Sequence, residues 1–385
     1  MTFHTAKYIL DENIKKINKS DRIILELFGG EVFKNFSLMK EIYSYLSSNY
    51  SDYNISYETT TNGTLIHDEI QQWLYERRKH FSISLSLDGT PDMHNKNRIF
   101  KDGQGTYESI DINFFLTTWP HCPAKMTVSK LTLPNLASGV EYIEKLGFKC
   151  DATLAIGTSW PDSTIPVFMR EVGKLTDYYI MNSNIELCTM LNFDFRQIFT
   201  PIDDNYRFCG AGIDLVCFDT YGNSYPCQGF APISIGETSR NYLNFDEKNF
   251  NFTHSNTCKY CQCVRLCPNC YAANLQSCKN IQHVDPQLCK LYKLCILASA
   301  KIQGVRILSQ KEFTHDDKLV LKAINNIQST ILPQPSSGSA GEIPPCVARK
   351  RLRDCSDCSE NASISSSPKF RKGAKNSCAW LPTSI

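Results

Sequence analysis

Cysteines are the residues of this chain whose type and spacing best suit chemistry. The 385 residues contain 18 of them: three precede residue 200, eleven fall between Cys209 and Cys295, and four lie in the tail. The N-terminus lacks the charged-then-apolar shape of a signal peptide, so we expect a cytoplasmic protein whose thiols stay reduced. Metal or cluster ligation is then favoured over a disulfide framework, and the middle segment is predicted to bind a metal.

Seven of these cysteines have spacings typical of ligands. Cys258 and Cys261 form one Cys-x2-Cys pair, and Cys267 and Cys270 form a second pair after only five intervening residues. A zinc ribbon usually has ~15–20 residues between its two pairs, so iron–sulfur ligation is favoured and zinc is the alternative. The predicted ligands are Cys209, Cys227, Cys258, Cys261, Cys267, Cys270 and Cys289. Buried, inert thiols are expected at Cys122, Cys150, Cys188, Cys217, Cys263, Cys278 and Cys295.

Composition excludes several other classes of protein. The 41 basic and 39 acidic residues give a formal net charge of +2, so neither nucleic acid nor an anionic membrane is expected as a partner. No apolar run approaches the ~18–20 residues that span a bilayer. The chain contains no P-loop, dinucleotide fingerprint or Gly-x-Ser-x-Gly elbow.

The elements that must position the functional residues alternate between two periodicities. Short apolar runs predict strands at 23–30, 54–60, 81–89, 125–133 and 148–157. Helical spacing predicts helices at 6–17, 33–50, 67–79 and 135–146. Strands that alternate with helices in this way indicate an α/β protein with right-handed crossovers and a parallel sheet or barrel.

The composition changes twice along the chain, and these changes predict its domains. Residues 1–200 carry the α/β pattern and 203–297 the cysteine-rich segment. A helical extension is expected at 298–329. Ser, Pro and basic residues without periodicity then predict a disordered tail at 330–385. Gly222, shortly before Cys227, is interpreted as allowing the backbone to fold tightly against a metal centre.

Several motifs, in their order and spacing, resemble radical S-adenosylmethionine (SAM) enzymes with a C-terminal SPASM domain, a family that includes peptide and sulfatase maturases. The motifs are FGGE at 28–31, TNGT at 61–64, SLDG-x4-H-x3-R at 86–98, LTLPN at 131–135 and the cysteine series that ends in CPNCYAAN. The resemblance covers residues 3–297. It implies a partial parallel (β/α)6 barrel lacking its first strand, with cofactor and substrate at the carboxyl ends of the strands.

The resemblance also implies ligands and partners. It assigns SAM contacts to Gly29, Gly30, Glu31, Asn62, Ser86 and Asp88. It assigns Cys209, Cys227 and Cys270 to a first auxiliary [4Fe-4S] cluster, and Cys258, Cys261, Cys267 and Cys289 to a second. Asp203 or Asp204 stands where some members carry a fourth ligand of the first cluster. The implied partners are a peptide or protein substrate and an electron donor such as ferredoxin or flavodoxin.

Two departures from the family pattern affect the expected activity. The Cys-x3-Cys-x2-Cys motif that holds the SAM-cleaving cluster is absent, and the first cysteine is Cys122. The hypothesis is a truncated or frame-shifted copy whose catalysis is impaired. Gln228 follows Cys227 where sulfatase maturases carry an aspartate, so peptide modification is favoured over a sulfatase substrate. The alternative function is a non-catalytic iron–sulfur or zinc-binding scaffold.

Overall fold

The computed structural model describes residues 1–120, 122–201, 208–245 and 255–331. Asp203 and Asp204 lie outside these ranges, as does the predicted tail from residue 332 onward. Cysteines within the described ranges are all free thiols.

A five-stranded parallel sheet forms the centre of the molecule. The strands are β1 (Arg22–Leu27), β2 (Asn54–Thr61), β3 (Phe81–Ser86), β4 (Pro123–Val128) and β5 (Lys149–Leu154). They lie in the sheet in their order along the chain, with β1 and β5 at the edges. The predicted α/β class is therefore confirmed. Most predicted strands extend beyond the carboxyl end of the observed strand, because the apolar runs continue into the loops that carry the polar and glycine residues of the motifs.

Helices precede, connect and follow the strands. They are α1 (Phe3–Ile14), α2 (Phe36–Asn49), α3 (Asp68–Glu76), α4 (Pro91–Asn97), α5 (Ile112–Thr118), α6 (Leu136–Leu146) and α7 (Thr164–Met181). The four predicted helices are confirmed as α1, α2, α3 and α6. Helices α4, α5 and α7 were not predicted. Helices α4 and α5 are each only seven residues long and carry too little periodicity to be recognised, whereas α7 is an 18-residue helix that was missed.

The core lies between the sheet and these helices. Alternate residues of β3 and β4 are fully buried, as are the inward faces of α6 and α7. Strand β1 is only half buried along most of its length, in keeping with its place at an edge. The core thus holds the carboxyl ends of the strands in fixed positions.

The cysteine-rich segment contains short elements and ends in two long helices. They are the hairpin β6 (Cys217–Phe218) and β7 (Ser224–Tyr225), then α8 (Pro232–Ile235), α9 (Asn256–Lys259), α10 (Tyr271–Cys278), α11 (Pro286–Leu308) and α12 (His315–Ile331). Helix α11 packs against α7 and crosses residue 297, where a domain boundary was predicted. None of the helices in the described part of the chain has the length and apolarity that a bilayer crossing requires.

Candidate functional site

The loop after β1 is tied to the end of β2 by one carboxylate. Glu31 Oε1 accepts hydrogen bonds from the Phe33 N–H at 3.2 Å and from the Thr61 hydroxyl at 2.9 Å. Glu31 Oε2 accepts from the Asn62 N–H at 2.9 Å. Burial raises the pKa of the Glu31 carboxyl, and these donors oppose that shift. Glu31 therefore fixes the relative position of two strand ends.

The neighbouring glycines leave this edge open. A Cβ added to Gly29 or Gly30 would meet no atom of the chain within 4 Å, and both residues are exposed. Asn62 lies directly after β2, where its Oδ1 accepts from the backbone N–H and the hydroxyl of Thr64 at 3.0 and 2.9 Å. The exposed backbone of the glycines lets a ligand approach closely, and the nearby Glu31 carboxylate is an acceptor for an ammonium group. A ligand such as SAM, which has an ammonium group, suits this arrangement.

Ser86 and Asp88 lie at and just beyond the end of β3 but differ in environment. Ser86 is the last residue of β3, pairs with Lys125 of β4 and is 9% exposed. Asp88 has no exposed surface. Its Oδ2 accepts from Asn97 Nδ2 at 3.1 Å and from Arg98 Nε at 2.9 Å, and its Oδ1 accepts from Arg98 Nη2 at 3.2 Å. The Asp88 carboxylate is thus surrounded by donors of the chain itself.

This network continues the sheet beyond the last paired residues of β3. The backbone N–H of Thr127 in β4 donates to Asp88 Oδ1 at 2.8 Å, and Asn97 Nδ2 donates to the Thr127 carbonyl at 3.0 Å. Side chains of Asp88 and Asn97 therefore take the place of a neighbouring strand's backbone. Asp88 lies in the loop after β3, His94 lies in α4, and Arg98 directly follows α4. The loop and α4 fold back, so that these three residues meet at the end of one strand.

His94 also belongs to this hydrogen-bond network. It is fully buried, its Nδ1 accepts from the Asp88 N–H at 3.3 Å, and its Nε2 lies 2.9 Å from the Thr106 hydroxyl. Burial, and then the charge of Arg98, lower the pKa of His94 to about 4, so the ring is neutral at pH 7. Since Nδ1 accepts, Nε2 carries the proton and donates to Thr106.

The four cysteines predicted for the second cluster line one small cavity. The cavity lies between the loop after α9 and the first turns of α11. Its lining includes Cys258, Cys261, Cys263, Cys267 and Cys289, together with Lys293. Cys263, which was expected to be an inert thiol, was not predicted there. A large cofactor held by several thiolates fits this set of donors better than one held by oxygen ligands.

The electrostatics of this cavity follow from crowding thiols in an apolar surrounding. Burial, and next the neighbouring Cys289 and Cys258, raise the pKa of the Cys267 thiol. A bound cationic metal would reverse that effect, because ligating thiols are deprotonated. Within the described ranges, no group of three or more His, Cys, Asp or Glu side chains is arranged to hold a metal ion. The thiols line a cavity here and do not converge on a point.

The cysteines predicted for the first cluster form a separate group with one addition. Burial raises the pKa of the Cys227 thiol, and the nearby Cys270, Cys209 and Cys217 raise it further. These four cysteines pack against one apolar cluster, formed by Tyr225, Phe230, Ala231, Tyr271, Ala272 and Leu275. Cys217 was interpreted from the sequence as an inert thiol. Cys217 pairs with Tyr225 across the β6–β7 hairpin, and recognition of this hairpin would have placed Cys217 beside the predicted ligands.

Gly222 lies in the hairpin that leads to Cys227. It lies in the turn between β6 and β7 with a φ of +94°, a conformation that favours glycine. Its N–H donates to the Asp219 carbonyl at 3.2 Å, and Asp219 Oδ1 accepts from the Asn223 N–H at 3.0 Å. The hairpin turn requires a residue that adopts this conformation, and the predicted approach to a metal centre stays a prediction.

The cysteine-rich segment approaches the carboxyl edge of the sheet. Gly157 lies just beyond β5, and a Cβ there would stand 2.7 Å from Gln276 Oε1 of α10. Helix α10 begins directly after Cys270. Helix α10, which follows directly after Cys270, therefore approaches the carboxyl end of β5.

The known proteins that are similar to this chain include the two relatives described below. No protein-family model matches it. The chain is 31% identical over 235 residues to uncharacterized protein MJ0907 of Methanocaldococcus jannaschii, spanning 59% of this chain and 75% of that protein. It is 22% identical over 313 residues to the radical SAM cyclopropyl synthase TigE of Paramaledivibacter caminithermalis, spanning 77% of this chain and 64% of that enzyme. The chain therefore covers slightly less than two thirds of TigE.

Solved structures of anSMEcpe share the fold. The structure with bound AdoMet superposes with a TM-score of 0.62 at 16% identity, covering 84% of this chain and 90% of that one. The structure with AdoMet and the Kp18Cys peptide gives 0.59 at 19% identity, covering 77% and 87%. These superpositions agree with the partial parallel barrel that the strand pattern and motifs led us to expect.

Proposed function

We propose that this chain, as a member of the radical SAM/SPASM family, binds two auxiliary [4Fe-4S] clusters and SAM. Its proposed partner is a peptide or protein. The observation that carries the proposal is the pair of cysteine groups. The cysteines of the second site line one cavity, and those of the first site pack against one apolar cluster. Helix α10, which follows Cys270 of the first site, approaches the carboxyl end of β5. The related cyclopropyl synthase and the peptide-bound anSMEcpe structure support a peptide substrate.

The residues have distinct roles in this proposal. Gly29 and Gly30 expose backbone toward SAM, Glu31 accepts from its ammonium group, and Asn62 and Ser86 line the same edge. Asp88 acts as a positioning residue, because its carboxylate already accepts four hydrogen bonds from the chain. When bound, the clusters supply electron transfer near the substrate, with ferredoxin or flavodoxin as the class of donor.

A non-catalytic scaffold is the second candidate function, and the absence of one cysteine motif favours it. Reductive cleavage of SAM needs a cluster held by Cys-x3-Cys-x2-Cys, and the 385 residues contain no cysteine before Cys122. The polypeptide of these residues should therefore bind clusters and SAM without cleaving SAM. Release of 5′-deoxyadenosine from SAM and dithionite by this polypeptide would contradict that expectation.

Anaerobic purification with iron, sulfide and zinc analysis tests the proposal. Two cubane clusters correspond to about eight iron and eight sulfide per chain. Zinc without sulfide would overturn the cluster proposal and favour a zinc protein. SAM-binding calorimetry then tests the proposed cofactor, and the assay for 5′-deoxyadenosine separates a catalytic protein from a scaffold.

A further inference from the structure

We infer that Cys217 is the fourth thiolate ligand of the first cluster, completing the set of Cys209, Cys227 and Cys270. The inference rests on the proposed function, because it assigns a ligand within a cluster site proposed above. It departs from the position at which the family pattern would place this ligand, which is occupied here by Asp203 or Asp204.

The hairpin places Cys217 beside the segment that leads to Cys227. Cys217 of β6 is the antiparallel partner of Tyr225 in β7, and Cys227 follows two residues later. The hairpin turn is closed by the Asp219 N–H, which donates to the Asn223 carbonyl at 2.9 Å. The register of a two-stranded hairpin is set by its turn, so the proximity of Cys217 to Cys227 is built into the local fold.

A second set of backbone contacts brings Cys209 to the same place. The Leu215 N–H donates to the Gly210 carbonyl at 2.9 Å, which folds the segment after Cys209 into a compact turn. The Gly212 N–H donates to the Pro226 carbonyl at 2.9 Å, directly before Cys227. The turn that separates Cys209 from Cys217 is thus fastened to the residue next to Cys227.

The surroundings favour a thiolate over an open coordination position. Phe230 and Tyr271 of the apolar cluster that carries all four cysteines are fully buried or nearly so. An iron atom with a solvent ligand would have to hold water or hydroxide against this apolar surface, which is unfavourable without further hydrogen bonds. A soft thiolate suits iron in a cluster better than an aspartate carboxylate does.

The thiol of Cys217 is available for ligation. Its Sγ is 3.9 Å from the Phe218 carbonyl, a weak contact whose loss costs little. On ligation the thiol releases its proton to solvent and the sulfur binds iron, so Cys217, like the other three cysteines, contributes one negative charge to the site.

Differential alkylation of the full chain tests this assignment without any substitution. The cluster-loaded protein and the chelator-stripped protein are each treated anaerobically with iodoacetamide and analysed by peptide mass spectrometry. We expect Cys217 to be protected in the loaded protein and labelled after stripping. Cys278, half-exposed at the end of α10 and outside both sites, is the control and should label equally in both states. Labelling of Cys217 in the loaded protein would overturn the inference.

Substitution gives the second readout. In Cys217→Ala we expect iron to fall from about eight to about seven or four per chain, depending on whether a three-iron cluster survives, and the EPR spectrum of the first site to change. Cys278→Ala is the matched control, and the unchanged EPR signal of the second site reports that the variant is folded. Cys217→Ser, with an oxygen ligand, should keep the iron with an altered spectrum.

The outcomes separate this inference from the proposed function. Wild-type protein without iron and sulfide would defeat the proposed function itself. Wild-type protein with two clusters, and a Cys217→Ala variant with the same iron content and spectrum, would defeat only the inference. A spectral change in Asp203→Ala or Asp204→Ala, but not in Cys217→Ala, would likewise overturn it and assign the ligand to an aspartate.

Discussion

Arg98 holds the Asp88 carboxylate with two hydrogen bonds, from Nε at 2.9 Å and from Nη2 at 3.2 Å, where that carboxylate has no exposed surface. The pair connects the end of α4 to the end of β3, and Asp88 in turn accepts from Thr127 of β4. One buried ion pair therefore fixes the carboxyl edge at which the proposed SAM site lies.

Loss of Arg98 should destabilise the protein strongly. Arg98→Met leaves the buried Asp88 carboxylate without its charged partner, and breaking a buried pair in this way typically costs about 3–5 kcal/mol. The matched control is Lys145→Met on α6, whose exposed pair with Glu141 should contribute less than about 1 kcal/mol. Denaturant unfolding measures both variants. Equal losses in the two variants would show that the Asp88–Arg98 pair has no special role.

Stability should decrease in acid because of His94. Its folded pKa, about 4, lies below its ordinary value of 6.5, so the neutral ring favours the folded state. This contribution is complete above pH 6.5 and is lost as the pH falls toward 4, by about 3 kcal/mol in total. His94→Gln keeps a donor near Thr106 but cannot titrate. The difference in Tm between wild type and this variant should therefore depend on pH over that window, and a constant difference would contradict the assignment.

Added bulk at Gly30 should weaken SAM binding without affecting the fold. A Cβ at Gly30 meets no atom of the chain within 4 Å, and the same is true of Gly173 on α7, which serves as the control. We expect Gly30→Val and Gly173→Val each to leave the free energy of unfolding unchanged within about 0.5 kcal/mol or slightly raised. Calorimetry should show at least tenfold weaker SAM binding for Gly30→Val alone. Unchanged affinity would remove Gly30 from the site.

Two cysteines of the same cavity should behave differently. Cys267→Ala removes a predicted ligand, so iron should fall from about eight to about four per chain. Cys263→Ala removes a thiol that lines the cavity but lies outside the predicted ligand set, so the iron content should stay the same. Iron and sulfide analysis of anaerobically reconstituted protein measures both. Loss of iron in Cys263→Ala would require a different set of ligands for the second site.

The sequence by itself determined the alternation of strands and helices and the position of each motif after a strand. These signals are local: apolar periodicity sets the element, and glycine or polar residues end it. The five predicted strands and four predicted helices are present for this reason. The cysteine spacings likewise identified the segment that approaches the sheet edge, because ligand spacing is a property of a short stretch of chain.

Only the tertiary structure decided what surrounds each side chain. Asp88 ends a strand and looks, in the sequence, like a residue of an ordinary turn. Its four donors belong to Asn97 in α4, to Arg98 directly after α4 and to Thr127 in β4, which is 39 residues away along the chain. In the same way, Cys217 resembles any buried thiol until the β6–β7 hairpin and the apolar cluster bring it to Cys227. Such contacts depend on how distant elements pack against one another, and periodicity and spacing along the chain carry no information about that packing.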